Sequence, residues 1–474
     1  MAMIPPQHWP LQSVKSPATA RDGILDVDHL CAVDLVTLVA LFFLYMNVPA
    51  VAVRFHGVPQ SFAAAVGTLF VVAPIYYLLV RRGPLMIDRV TWFGLAFIGV
   101  QALSAAFSSD PERATGPVFT SLVEGFVLYV LLLNSIRSPA TLRAATWTLL
   151  SVGTLLGALS LIQWEMRDFR NNYAGFAQVG IALPLDASPY ENHIDERRAS
   201  GPIGEVNRYA QIMLMLVPLA FFRFLSKQSI ILRTAGLAAT GFTTVGAMLS
   251  FSRGAAVGFA LLAILMLLLR YISPRQFGLL ALVVFVLVMM SDTYRERLLT
   301  LADLEQLNDA NPDEEVDTSL QGRFTENKAA ALMYVEHAII GVGPGLYAAN
   351  YIEYAQRVGG RVHQEEREPH SLYLGIAAEL GTLGLMVYLA MVVTALSSLA
   401  RARRLCRSPS PDLSHYSAAY MLALIAYLAT GLFLHLSYVR YFWMMLALGG
   451  AASRIALTAG RKASSGNSQA IRSC

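Results

Sequence analysis

The sequence predicts an all-α polytopic membrane protein of about twelve transmembrane helices, and three observations support this fold class. Hydrophobic residues make up 55% of the 474 residues and charged residues only 14%, whereas soluble proteins carry about 25% charged residues. The mean hydropathy is +0.50. Apolar segments of about 20 residues, the length of a membrane-spanning helix, recur along the whole chain. A soluble multidomain protein would need more charged surface than this chain has.

The apolar segments divide the chain into helical blocks separated by two long polar segments. The predicted spans are 34–53, 61–80, 90–107, 117–134, 143–163, 207–224, 229–250, 254–271, 275–291, 371–400, 415–434 and 440–459. The predicted organisation is an N-terminal segment (1–33), helices 1–5 (34–163), a loop (164–206), helices 6–9 (207–291), a large loop (292–370), helices 10–12 (371–459) and a tail (460–474). Long ordered loops are usually functional.

The distribution of arginine and lysine predicts the orientation. With the N-terminus in the cytoplasm, basic residues cluster in the cytoplasmic loops, as membrane proteins require. The opposite short loops hold one arginine each: Arg54, Arg113, Arg253 and Arg440. Both termini are therefore predicted to be cytoplasmic, and both long loops periplasmic. The first 30 residues lack a compact apolar run with a cleavage site, which argues against a cleaved signal peptide.

Cysteine spacing and net charge exclude some functions. Cys31, Cys406 and Cys474 match no metal-ligand spacing and predict no disulfide framework. The net charge of +4 is not gathered into a basic stripe, so no nucleic-acid partner is expected.

The large loop contains an acidic stretch, a helix and a glycine-rich turn. The acidic stretch 303–317 is either a solvated loop or, less in keeping with its spacing, a calcium site. Apolar residues at three- and four-residue steps predict a helix from Arg323 to Ile340. Three glycines and a proline follow in 341–345, where Gly343 and Gly345 either form tight turns or let a ligand approach the backbone.

Polar residues near the ends of predicted spans are candidate site residues on the outer face. His370 precedes the tenth span, which could stay helical for 30 residues or roughly 45 Å, and it acts either as a general base or as an interfacial helix cap. Arg198 either binds phosphate or anchors the chain at the interface. Asn207 is predicted to cap the sixth span, and Arg253 lies on the same face.

These motifs, in this order, resemble the O-antigen ligase and O-antigen polymerase family, bacterial glycosyltransferases of the cell envelope that use lipid-linked glycans. The span count and the large loop between spans 9 and 10 are also similar. The motifs are Arg198 to Asn207, Ser250 to Gly254, Arg323, Gly341 to Gly345, and His370 to Gly384 with Glu379 inside it.

The resemblance implies a GT-C-like, metal-independent glycosyltransferase of the bacterial inner membrane that needs no cofactor. Its donor would be a glycan on undecaprenyl diphosphate among the membrane lipids, and its acceptor a lipid A-core or another glycan. His370 matches the essential histidine of the family, and the arginines match residues that hold the diphosphate. The arginines are Arg198, Arg253 and Arg323, with Asn207, Gly343, Gly345 and Glu379 as possible support.

Several alternatives remain at this level. His370 is followed by Ser371, where the family often has asparagine, which leaves the acceptor open. Ligase and polymerase are not separated, and chain extension of an exopolysaccharide or capsule and transfer to a protein are also open. A flippase for lipid-linked glycans is the rival class, although transporters usually carry polar or broken helices at mid-membrane in two related halves. A purely structural scaffold would not explain arginines and a histidine on one face.

Overall fold

The computed structural model describes residues 30–181, 197–226, 228–290, 318–359, 367–408, 410–434 and 439–472. Most of the N-terminal segment 1–33 and the whole acidic stretch 303–317 lie outside these residues. Helices account for most of the described chain, and the predicted all-α fold class is confirmed.

The first half of the structure is a series of helices that begin at local capping residues. Asp88 and Ser138 accept hydrogen bonds from the backbone amides of Thr91 (2.8 Å) and Thr141 (3.0 Å), which starts α4 and α7. The helices are α1 (Ala32–Tyr45), α2 (Val48–His56), α3 (Ser61–Ile75, extended by the π-helical Tyr76–Val80), α4 (Arg89–Ala106), α5 (Pro111–Thr120, extended by the π-helical Ser121–Val127), α6 (Leu128–Ser135) and α7 (Pro139–Glu165).

A short antiparallel hairpin, which the sequence analysis did not predict, lies in the first long loop. It pairs β1 (Gln178–Ile181) with β2 (Arg197–Gly201). The hairpin leads into the next four helices: α8 (Val206–Leu225), α9 (Ile230–Met248), α10 (Arg253–Leu268) and α11 (Pro274–Met290).

The remaining helices include two that stand outside the predicted spans. The helix predicted from Arg323 to Ile340 is confirmed with earlier bounds, and it packs on a second helix through buried Met333, Tyr347 and Tyr351. The elements are α12 (Thr318–Glu336), α13 (Tyr347–Val358), α14 (Leu372–Leu405), α15 (Pro411–Thr430) and α16 (Val439–Arg472).

A helix lies at each of the twelve predicted spans, but they differ in length and apolarity. Among the described residues, eight helical stretches are long and apolar enough to cross a membrane, and the α1–α2 pair, bent by 54°, makes a ninth if it counts as one span. The other three are α10 with 16 residues, α11 with 17, and α15, whose first half is polar. That these three cross the membrane stays a prediction.

The core is centred on α8. In its most apolar stretch 83% of the residues are buried, compared with 28% in α3 and α9. The outer helices turn large apolar side chains outward, such as Leu79 (72% exposed) and Ile231 (74% exposed). Such a surface suits contact with lipid tails rather than water.

The tenth span is not the continuous helix that the sequence suggested, because α14 breaks at Gly381 (φ 63°, ψ −166°). At the break the chain crosses the segment after α12, and the two backbones exchange hydrogen bonds. Thr382 N donates to the Ala338 carbonyl (2.7 Å), and Val342 N donates to the Ala378 carbonyl (2.9 Å). A Cβ on Gly381 would lie 2.3 Å from the carbonyl carbon of Ile339. Glycine is required here because the backbones touch.

Candidate active site

Three helix N-termini and one side of α12 surround a cavity of about 250 Å³. Asn207 lies in the first turn of α8, and Arg253 is the first residue of α10. His370 directly precedes Ser371, the N-cap of α14, and Arg323 reaches the cavity from α12. The structure thus brings together four of the predicted site residues, three from separate helices and His370 from the residue before the N-cap of a fourth. The positive ends of the helix dipoles point toward the same space, which favours an anion.

The cavity has a cationic side and an apolar side. Arg253 and Arg323 provide the positive charge, and no carboxylate occurs among the described residues that line it. The other side includes Phe324 (41% exposed), Leu432 (53% exposed) and Phe433 (39% exposed). This combination suits a ligand with an anionic head and an apolar tail.

His370 forms a close pair with a buried glutamate that the sequence analysis missed. Its Nδ1 lies 2.5 Å from Oε2 of Glu326, whose side chain is 2% exposed. The carbonyl of Glu326 also accepts a hydrogen bond of 2.6 Å from the Tyr347 hydroxyl. Burial raises the pKa of Tyr347, so this phenol remains a donor. A carboxylate on one ring nitrogen fixes the imidazole orientation and leaves the other nitrogen available for proton transfer.

One face of α12 carries three site residues. Glu326 lies three residues and Asn327 four residues after Arg323, which places all three on the same side of the helix. Asn327 lines the cavity, and its Oδ1 is buried without a hydrogen-bond partner among the described residues. An unsatisfied buried acceptor is expected to bind a hydroxyl or amide of a ligand. The spacing from Arg323 was the signal in the sequence that could have identified both missed residues.

Asn207 does not cap α8, so that prediction is wrong. Glu205 is the cap, because its carboxylate accepts hydrogen bonds from the amides of Asn207 (2.9 Å) and Arg208 (2.6 Å). The Asn207 side chain is instead directed to Arg198, which donates to its Oδ1 at 3.3 Å. Glu205, two residues before Asn207, accepts hydrogen bonds from the free amides of the first turn of α8, so the Asn207 side chain is not needed as a cap.

Arg198 lies behind the cavity rather than in its lining. Its Nε donates to the Ser250 carbonyl at 2.8 Å, and its terminal nitrogen lies 3.5 Å from the Phe251 carbonyl. Phe251 has a left-handed backbone conformation (φ 50°), which is uncommon for a bulky residue. Arg198 therefore supports the turn that presents Arg253.

Gly343, Gly345 and Glu379 lie beside a second cavity or the loop that borders it. This cavity has a volume of about 440 Å³, and Gly345, Glu368, Pro369 and Glu379 are among its lining residues. The Glu379 carboxylate accepts from the Tyr347 amide at 3.4 Å. A Cβ on Gly343 would lie 2.6 Å from the Ser108 side chain, and one on Gly345 2.5 Å from Pro117. Gly343 allows close packing of the turn against the α4–α5 connection, and Gly345 allows close packing against α5.

Together, the fold and this cavity define a multi-pass membrane protein that presents a histidine–glutamate pair next to a cationic, partly apolar pocket. Such a pocket can hold an anionic lipid-linked group while the histidine takes a proton from a neighbouring hydroxyl.

Residues 238–389 match the family model described as O-antigen ligase. The matched region contains Arg253, Arg323, Glu326 and His370, whereas Arg198 and Asn207 precede it. The resemblance seen in the sequence is thereby confirmed over this region, and it indicates a membrane enzyme that transfers glycans. No curated protein matches the chain.

Proposed function

We propose that this protein transfers a glycan from undecaprenyl diphosphate to an acceptor hydroxyl on the periplasmic face of the bacterial inner membrane, in the synthesis of a cell-surface polysaccharide. The observation that carries the proposal is the convergence of Arg253, Arg323 and the His370–Glu326 pair on one cavity. The match to the O-antigen ligase family supports the same reaction class.

The donor diphosphate would bind between Arg253 and Arg323. A diphosphate leaving group needs compensation of its negative charge, and guanidinium groups bind phosphate oxygens in a bidentate manner. The N-termini of α8, α10 and α14 add positive potential at the same place. The prenyl tail would leave along Leu432 and Phe433, the exposed apolar side of the cavity. Arg198 contributes indirectly by holding the turn before Arg253.

The reaction requires one proton transfer and one exchange of bonds at the anomeric carbon. The acceptor hydroxyl gives its proton to the free ring nitrogen of His370 as its oxygen bonds to that carbon. The bond from the carbon to the diphosphate oxygen breaks, and the diphosphate departs with the electron pair. Glu326 compensates the positive charge that the imidazole acquires, and Arg253 and Arg323 stabilise the charge on the leaving group. We expect no metal requirement, so transfer should continue in the presence of EDTA.

The acceptor would enter through the second cavity. Glu368 and Pro369 line this cavity and His370 lines the first, so three consecutive residues form the boundary between the two. Carboxyl and hydroxyl groups suit recognition of sugar hydroxyl groups, and Glu368, Glu379 and Thr120 provide them here. The acceptor would be a lipid A-core for a ligase or a second lipid-linked repeat for a polymerase.

The test uses the full chain purified in detergent, with a lipid-linked glycan donor and a defined acceptor. His370→Ala is expected to abolish transfer, because the proton acceptor is lost, while the protein remains folded. The matched control is His56→Ala, since His56 is an exposed histidine on the same predicted membrane face. Arg253→Ala should weaken donor binding. Wild-type transfer by a folded His370→Ala variant would disprove the assignment of the base.

The same assay separates an enzyme from a flippase. Detergent removes the two membrane sides that a flippase needs, so glycan transfer in solution can only come from catalysis. In the native host, deletion of the gene followed by gel analysis of surface glycans distinguishes the two enzyme types. Loss of a ligase leaves unattached polymer on undecaprenyl diphosphate, whereas loss of a polymerase leaves core with a single repeat or removes a secreted polymer with the lipopolysaccharide unchanged.

A further inference from the structure

A second cationic cavity lies at the opposite end of α14 from His370. Its volume is about 270 Å³, and it is formed by the end of α10, the end of α14 and the start of α15. Because α14 runs for 34 residues, from just after His370 to just past Arg404, this cavity and the candidate active site lie at opposite ends of the helix. The predicted orientation puts it at the cytoplasmic face.

Four arginines line this small cavity: Arg270, Arg403, Arg404 and Arg407. No carboxylate occurs among its described lining residues, and none of the four arginines forms an ion pair with a described residue. Asp412 is the acidic residue closest in sequence to these arginines, and its carboxylate forms an ion pair with Arg223 at 3.0 Å. Four like charges around one cavity repel each other unless an anion lies between them.

Unsatisfied polar atoms also line the cavity. Nε of Arg403 and Nδ1 of His415 are buried and have no hydrogen-bond partner within the described part of the chain. Buried donors normally bind a partner. An oxyanion with several oxygens would satisfy the Arg403 donor, and Nδ1 of His415 where that nitrogen carries the proton, because it accepts hydrogen bonds from several directions.

The backbone at Arg270 is unusual for its position. Arg270 follows the end of α10 with φ 62°, in the left-handed region where a helix normally ends on glycine. Tyr271 N then donates back to the Met266 carbonyl at 2.9 Å, which closes the turn. A bulky residue held in this conformation marks a candidate functional position, and here the turn brings an arginine to the cavity wall.

We propose that this cavity binds the phosphate group of an anionic phospholipid. The same oxyanion chemistry would accept free phosphate, but exposed leucines next to the lining residues in sequence favour the lipid. Leu268 (69% exposed) and Leu405 (38% exposed) flank the arginines in sequence and offer contact for an acyl chain. Basic pockets between transmembrane helices on the cytoplasmic side commonly bind anionic headgroups. The site is independent of the transfer reaction.

The test compares two double variants that remove the same net charge from the full chain purified in detergent. Arg270→Gln/Arg403→Gln changes two lining residues, whereas Arg275→Gln/Arg401→Gln changes two exposed arginines that do not line the cavity. Native mass spectrometry and titration measure binding of phosphatidylglycerol, with phosphatidylcholine as the neutral lipid. The cavity variant should lose affinity by about tenfold or more, as expected for charge-assisted hydrogen bonds, and the control should bind as wild type does.

Three results would overturn the proposal: equal losses in both variants, unchanged affinity in the cavity variant, or equal binding of phosphatidylcholine. Displacement of the lipid by inorganic phosphate at equal concentration would assign the cavity to free phosphate and overturn the lipid assignment. If the double variant does not fold, Arg407→Gln at an exposed lining residue replaces it. Unchanged affinity of that single variant would likewise refute the site.

Discussion

Replacement of Glu326 by glutamine tests whether the buried carboxylate supports His370 in catalysis. Glutamine keeps the size and one acceptor oxygen, so the imidazole can retain its orientation while the negative charge is lost. The contact of 2.5 Å to a side chain that is 2% exposed is a charge-assisted hydrogen bond, the kind that contributes about 1.5–3 kcal/mol. If the hydrogen bond stabilises the charged imidazole by this amount in the transition state, its loss lowers the transfer rate by about 10- to 100-fold. Each 1.36 kcal/mol is a factor of ten in rate.

The measurement is the maximal transfer rate and the donor KM of the purified protein, together with its melting temperature. The rate should fall while the donor KM changes little, because the diphosphate contacts are left intact. Glu353→Gln is the matched control, since its carboxylate on α13 is 70% exposed. A folded Glu326→Gln variant with the wild-type rate would refute the role of the carboxylate, and an altered donor KM alone would indicate a binding role instead.

Two further predictions concern the elements that hold the site together. Gly381→Ala should lower the melting temperature and abolish transfer, because its conformation is essentially restricted to glycine and the added Cβ would meet Ile339; Gly241→Ala, with open space around it, should be neutral or stabilising by about 0.5–1 kcal/mol. Intact folding of Gly381→Ala would contradict the crossing. The pKa of Glu336 lies below its usual value because Arg357 donates hydrogen bonds to it. This pair therefore stabilises the α12–α13 contact above the usual glutamate pKa of about 4.3, and hydrogen exchange in α13, corrected for intrinsic rates, should increase as the pH falls below that value. The Glu336→Gln variant should lose this pH dependence, and an unchanged profile would rule the pair out.

Local properties of the sequence are sufficient to predict where most of the helices lie, although α13 (Tyr347–Val358) was not predicted. Membrane spans are recognised from apolar length, and a helix lies at every predicted segment because backbone groups in a membrane must be hydrogen-bonded within the segment. The helix starting near Arg323 follows from its periodicity. The glycines in 341–345 predict a turn. Only the structure shows that the backbone of this segment crosses and contacts the backbone of α14.

The composition of the site was predicted in part. His370, Arg253 and Arg323 meet in one cavity, as their common membrane face suggested. Glu379 follows His370 by nine residues in the sequence but lines the other cavity. The position of a side chain around a helix, rather than its distance along the chain, decides which cavity it reaches.

What the sequence alone determined is the membrane class, the order of most of the helices and a resemblance to the O-antigen ligase family, because these depend on local composition and on motifs. The tertiary structure alone decided that Glu326 is the partner of His370, 44 residues away in sequence, and that Glu205 rather than Asn207 caps α8. It also decided that Arg270 and Arg403 share one cavity. The reason is that hydropathy and periodicity describe one element at a time, whereas a contact between elements depends on how the whole helix bundle packs.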